Sequence, residues 1–467
     1  MVLNTEHIIG IVLTMFLMTA VGLYSSRKVK TAEDFSTAGR KATAPIVTGT
    51  ILGTLVSGAS TIGTAQLAFQ FGFCAWWFTL GASIGCVILG LGMTRRLYES
   101  AVETAPQYLV KTYGAAIGPI SSIFTSIGIF LNVIAQILAF SALLTSFSSI
   151  HPMLAALIGF FLVMAYVLFG GVWGTGLTGV VKLILLCATA LACGVTAYVM
   201  VGGVSGLTAA FPSFPWFSLF GRGFGIDGAA GFSLIVGVLS SQTYIQAIVS
   251  GKNARESRRG ALMSSFLTPP IGLGCILVGL YMRINFPGTP SSEVLPLFVL
   301  TFFPPLLAGV MLATLMITVV GGWAGLTLGI STMLTKDIYQ QFFRSRASGK
   351  EILLAQRVFL VLISLVGLFF ASGNTGSLIL GWSFLSMGLR GCTVLFPLLG
   401  AMFFPRWVSP KAGIAAALLG PLVDILWKIV YPQGIDPLYP GLAVSLSVLV
   451  VVSLFTMKKS VAAQQTP

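Results

Sequence analysis

Four ionisable side chains stand inside long apolar runs of this chain, and a charge in apolar surroundings needs either a partner or a task. Arg390 lies near the middle of its run, SFLSMGLRGCTVLF, too deep to reach an interface easily. Its planar fork suits a carboxylate or phosphate, and it could equally cap the carbonyls of a broken helix or make a gate contact. Lys182 sits about five residues, or ~8 Å, inside one end of its run, so its ammonium could also snorkel to the headgroups. Asp424 and Lys428, four apart, are expected to pair on one helix face. This chemistry is the handling of ions and charged solutes rather than covalent catalysis. His7 and His151 have no metal-ligand partners, and the six cysteines lack metal-ligand spacing. Gly174-Thr-Gly-Leu-Thr-Gly179 fits G-x-G-x-x-G but opens an apolar run, with no acidic residue some 20 positions on, so it is not a dinucleotide site. No enzyme, metal or organic cofactor is expected.

Two stretches must position these groups. Gly49 to Ala65, GTILGTLVSGASTIGTA, crowds glycine, serine, threonine and alanine into a segment long enough to cross a bilayer. Small residues let a neighbouring helix or a ligand come close, and hydroxyls can satisfy backbone groups that an interrupted helix leaves bare. Gly231 to Ile248, GFSLIVGVLSSQTYIQAI, has the same character, five passes later. Paired interrupted segments in two halves point to a transporter's substrate site, although each alone also fits a close-packed helix interface. The candidate solute contacts are therefore Ser57, Gly58, Ser60, Thr61, Ser240, Ser241 and Arg390. Asn132 and Gln136, on one face at i and i+4, could line the same cavity or bond neighbouring helices.

Composition sets the class that contains these stretches. With 56% hydrophobic residues, 8% charged residues and a mean hydropathy of +0.96, most of the 467 residues must face lipid or each other. The pattern predicts an all-α integral membrane protein of about thirteen spans, each near or above the ~20 residues a crossing needs. The net charge of +14 comes from short loops between apolar runs, which indicates topology rather than nucleic-acid binding. Arg27 to Lys41, Arg95 to Lys111, Lys252 to Arg259 and Lys336 to Arg357 are expected on the cytoplasmic side, placing the amino terminus outside and the carboxy terminus inside a plasma membrane of bacterial inner-membrane type. The first apolar run has no basic residue before it and is expected to be a retained helix. Residues 202–229, rich in Gly, Pro and Phe, form an outer loop and could act as a partly buried lid.

Several motifs then resemble one family. Asp34-Phe-Ser-Thr-Ala-Gly-Arg40, Thr104-Ala-Pro-Gln-Tyr-Leu-Val-Lys-Thr-Tyr-Gly114, Gly170-Gly-Val-Trp173, Gln246 to Gly260 and Leu295-Pro-Leu to Tyr339 are similar in order and spacing to motifs of the sodium:solute symporters. The resemblance implies a LeuT-type 5+5 inverted repeat with one leading and two trailing helices. Its divisions are 1–43 (leading helix and loop), 44–201 (first repeat), 202–229 (outer loop), 230–404 (second repeat) and 405–467 (two trailing helices and a short tail). It also implies a sodium site from the carbonyls of Gly53 and Val56 and a hydroxyl pair on the eighth core helix. Those hydroxyl positions fall on Gly321 and Gly322, and the family's T-D-x-x-Q motif is here Thr178-Gly-Val-Val-Lys182.

The usual sodium ligands are thus missing, and a hard cation needs about five or six oxygens. The expectation is a secondary active transporter of a small, carboxylate-bearing or otherwise anionic solute, with the Lys182 ammonium donating to the Gly53 and Val56 carbonyls in place of sodium. Sodium coupling through other ligands, proton coupling and an uncoupled facilitator stay open. The expected partners are the solute and the lipid bilayer.

Overall fold

The computed structural model describes residues 3–26, 40–100, 102, 104–148, 150–432 and 434–463, with backbone alone at 22–26, 166–178 and 457–463. The Asp34 to Gly39 part of the first motif lies outside the described residues. Fourteen of the helices are numbered here in chain order. The first six are α1 Thr5–Ser26, α2 Ala44–Leu55, α3 Thr64–Phe71, α4 Trp77–Ile88, α5 Ile117–Thr145 and α6 Pro152–Met200. There follow α7 Phe224–Ser240, α8 Gln242–Ser250, α9 Ala254–Asn285 and α10 Pro305–Met333. The last four are α11 Gly349–Ser372, α12 Ile379–Phe403, α13 Pro410–Val430 and α14 Leu438–Ala463.

Among the described residues, nine helices are long and apolar enough to cross a membrane, or ten if the bent pair α7 and α8 is one span. The expected second span is divided between α2 and α3, and the expected fifth and sixth both lie within α6. The Pro152–Ala165 part of α6 packs its Gly159 on Phe140 of α5, whereas Gly179 meets Gly49 of α2 and Gly194 meets Gly274 of α9.

Both small-residue stretches break their helices. After α2, Val56 is extended (φ −89°, ψ 95°), and the chain makes a wide π-turn over Ala59–Gly63 before α3. Between α7 and α8, Ser241 is extended (φ −82°, ψ 130°) and the helix axis bends by 45°. Prolines leave similar gaps in the ladder, and hydroxyls fill them. Pro269 has no N–H for the Ser265 carbonyl, which instead accepts from Ser83 Oγ at 2.7 Å.

The ends of the bundle are tied by polar contacts. At the end with the basic loops, Ala42 bridges to Gly251, Ala44 N–H donates to Glu256 at 2.8 Å, and Ala105 N–H donates to Gln242 at 2.9 Å. At the other end Ile379 N–H donates to Gln66 at 3.0 Å. The expected 202–229 loop is shorter, because Gly203–Ala210 is helical and α7 begins at Phe224; the segment between them folds across the turn before α4, where Trp77 Nε1 donates to Leu219 O at 2.7 Å. The six cysteines are unbridged.

One expected pair does not form. The described ion pairs are Arg95–Glu99, Arg222–Asp227 and Arg259–Glu256, so Asp424 and Lys428 are not joined. Asp424 is buried against α12, where among the described residues its side chain bonds to the Cys392 thiol alone, at 3.8 Å, while Lys428 is exposed at the end of α13. An i,i+4 pair adds only about 0.2–0.5 kcal/mol, too little to draw a hydrated ammonium inward.

Candidate functional site

The first break creates acceptors that lack donors. In an unbroken helix the Gly53 carbonyl would bond to Ser57 N–H, but that N–H donates instead to Ser60 Oγ at 2.8 Å. Ser60 and Thr61 hydroxyls donate back to Ser57 O at 3.0 and 2.9 Å, so the hydroxyls of this break are used locally. The free carbonyls lie at the helix carboxyl end, where the dipole favours a cation. Lys182 of α6 supplies one: its Nζ donates to Gly53 O at 2.6 Å and to Val56 O at 3.1 Å. At 3% exposure its ammonium does not snorkel to an interface.

Two glycines of α10 shape this pocket. A Cβ at Gly321 would stand 3.4 Å from Lys182 Nζ, an ordinary contact, so the glycine leaves space beside the ammonium. A Cβ at Gly322 would stand 2.4 Å from Ser57 Cβ, so only glycine lets α10 approach the break this closely.

The second break is met by Arg390. The guanidinium is fully buried, and Nε donates to Ser386 O at 3.0 Å, Nη2 to Ser386 Oγ at 2.6 Å and Nη1 to Ser241 Oγ at 2.6 Å. Ser241 Oγ donates in turn to Gly237 O at the end of α7. Gly128 on α5 admits the Arg390 stem, since a Cβ there would lie 2.8 Å from Arg390 Cγ. The hydroxyls of Ser240 and Thr243 are buried here with no partner.

A polar chain joins the two breaks. Gly58 N–H donates to Gln136 Oε1 at 2.9 Å, Gln136 Nε2 reaches Asn132 Oδ1 at 3.4 Å, and Ser383 Oγ donates to Asn132 at 2.8 Å. Ser383, Ser386 and Arg390 recur at i, i+3 and i+7 on one face of α12, which leads to the second break. The structure therefore gathers Gly53, Val56, Lys182, Gly321, Gly322 and Ser57 around one break and Ser240, Ser241 and Arg390 around the other. Asn132 and Gln136 lie between. Ser383, Ser386 and Thr243 were not among the sequence candidates. The spacing of the two serines ahead of Arg390 was a visible signal, whereas Thr243 is exceptional only because it lacks a partner. Among the described residues no cluster of His, Cys, Asp and Glu could hold a metal ion.

This arrangement of helices is shared with a solved Na+-coupled sialic acid symporter in its substrate-bound outward-open state, with a TM-score of 0.80 over 97% of this chain and 98% of that one. At 18% identity the likeness speaks for the LeuT-type fold alone. The osmoregulated proline transporter OpuE of Bacillus subtilis is 22% identical over 98% of this chain and 96% of its own length. The human high affinity choline transporter 1 is 23% identical over 94% of this chain and 80% of its own length. These relatives are transporters rather than enzymes, and a multi-pass membrane protein that moves a small solute is what the chain shares with them. Residues 35–420 match the family as a whole, and the chain belongs to the sodium:solute symporter family.

Proposed function

We propose that this transporter moves a small organic solute carrying a carboxylate or another anionic group, and that the Lys182 ammonium takes the place of the coupling sodium ion. The observation that carries the reading is the pair of hydrogen bonds from Lys182 Nζ to the Gly53 and Val56 carbonyls. Carbonyl oxygens only accept, so a bare set of them calls for a cation, and a tethered ammonium answers as a metal ion would. Unlike a metal ion, it can release its proton to one side and regain it from the other, and protonation then plays the part of ion binding. Lys182 and Arg390 are both buried without an ion-pair partner among the described residues, so the site carries positive charge that an anionic solute would offset. In this reading the loop with Lys252, Arg255, Arg258 and Arg259 faces the cytoplasm of a bacterial-type inner membrane, with the amino terminus outside.

A second reading, sodium coupling through other ligands, is supported by relatives such as the sodium/proline symporter of Escherichia coli, 22% identical over this whole chain. Proteoliposomes loaded with the purified protein separate the two, with labelled proline, pyruvate and succinate as probes. Lysine coupling gives equal uptake in sodium, potassium and choline, accumulation under a pH gradient, and no pH response in Lys182→Ala. A requirement for sodium supports the second reading. Equilibration without accumulation under either gradient would mark an uncoupled facilitator.

A further inference from the structure

Away from both breaks, a cavity of about 190 Å³ lies where α7, α12, α13 and the start of α14 meet, at the end of the bundle opposite the basic loops. Arg222, Phe384, Asp424, Lys428 and Asp436 are among its lining residues. The charges do not cancel. Arg222 is ion-paired with the fully buried Asp227: Nε donates to Oδ1 at 2.8 Å, and Nη2 stands 2.7 Å from the same oxygen without forming a hydrogen bond. Lys428 is within ion-pair distance of neither remaining carboxylate. Asp424 is only 6% exposed, and its one partner is the Cys392 thiol, a weak donor 3.8 Å from Oδ1. Among the described residues its other oxygen has no hydrogen-bond partner. Among the described residues the Asp436 carboxylate accepts one hydrogen bond, from Leu438 N–H at 3.0 Å. Once ionised, the two carboxylates outweigh the one ammonium and leave a net negative wall, with Phe384 among the apolar lining.

We propose that this cavity is a second ligand site that takes a small organic ammonium ion. A bare sodium ion is a poor match, because two carboxylates fall short of the five or six oxygens a hard cation requires and the space greatly exceeds one ion. An alkylammonium fits on both counts: its N–H groups bond to the Asp424 and Asp436 carboxylates and its carbon chain fills the apolar remainder. The occupant touches α7, which ends at the second break, and α12, which carries Arg390. It therefore braces these two helices against the α13–α14 pair and slows any motion of α12 past α7.

The test is calorimetric titration of the whole purified protein with n-propylammonium, using n-propanol and sodium as controls. It is run at pH 8, because burial raises the Asp436 carboxyl above its ordinary value. The expected result is saturable binding of n-propylammonium alone, weakened about tenfold or more in Asp424→Asn as a charge-assisted hydrogen bond is lost. Asp436→Asn weakens it in the same direction and serves if the first variant does not fold. Lys182→Ala binds n-propylammonium as the native protein does, so this site stands or falls separately from the coupling proposal. Failure of the native protein to bind, equal binding of n-propanol, saturation by sodium instead, or unchanged binding in both Asn variants overturns the proposal.

Discussion

The two breaks are built alike in outline and unlike in chemistry. At each, a helix parts and a cation from a later helix, Lys182 or Arg390, reaches the gap. The first cation bonds directly to main-chain carbonyls, whereas the second bonds to the hydroxyls of Ser241 and Ser386 and to the Ser386 carbonyl. Carbonyls accept and do nothing else, so the first gap has a standing need for positive charge. Hydroxyls both accept and donate, so Ser241 and Ser386 can re-form bonds if the guanidinium turns to a new partner. Spare capacity differs in the same sense. Ser60 and Thr61 are consumed within the first break, while Ser240 and Thr243 stand unpartnered at the second. Under the proposed function, the first break would serve coupling and the second the recognition of a solute.

The sharpest way to break that division of labour is Arg390→Lys. A lysine can reach one of the serines but cannot hold Ser241 and Ser386 in a single plane. If the guanidinium swaps its hydroxyls for the solute's anionic group, solute affinity falls about 10- to 100-fold, the ~1.5–3 kcal/mol of one charge-assisted hydrogen bond. Uptake of the labelled solutes against concentration measures this, and an unchanged half-saturation would leave Arg390 as a helix cap only. The response to pH should persist in this variant, because Lys182 is untouched.

Much of this comparison was legible before any coordinates. The two breaks fall within the stretches where glycine and hydroxyl residues replace bulky ones, because such residues are needed where a membrane helix opens its ladder. Lys182 stood out as a cation in an apolar run, and Gly321 and Gly322 as small residues where the family resemblance implies hydroxyls. What stayed hidden depends on distances between helices remote in sequence. No spacing rule joins Gly58 to Gln136, 78 residues away, or Ser383 to Asn132, 251 residues away. The Asp424–Lys428 expectation failed for a related reason: helix periodicity placed the two residues near one another but said nothing of the burial of Asp424 against α12 while Lys428 stays exposed.

A smaller effect separates the two glycines at the first break. Gly322→Ala places a Cβ 2.4 Å from Ser57 Cβ, whereas Gly321→Ala places one 3.4 Å from the Lys182 ammonium. Overpacking of the first kind destabilises by about 1–3 kcal/mol. Thermal unfolding in detergent should therefore shift down for Gly322→Ala and stay near the native value for Gly321→Ala. Equal midpoints for the two variants would mean that α10 does not press on the break as the geometry describes.

The smallest expected effect tests the spare capacity of the second break. Ser240 and Ser241 are adjacent and both fully buried, yet only Ser241 has partners, Gly237 O and Arg390 Nη1. Replacing Ser241 by alanine leaves a buried guanidinium group short of an acceptor and lowers stability by about 1–3 kcal/mol. Replacing Ser240 by alanine removes a hydroxyl that has no hydrogen-bond partner in the structure, so stability holds or rises slightly. If that hydroxyl is kept for the solute, the cost shows up in binding instead, as a loss of about 1 kcal/mol or roughly fivefold in affinity. The pair of measurements, unfolding midpoint and half-saturation, should then move oppositely in the two variants: Ser241→Ala mainly in stability and Ser240→Ala mainly in affinity. A Ser240→Ala protein that keeps native affinity would show the second break to be as locally satisfied as the first, and the functional contrast between them would have to rest on Arg390 alone.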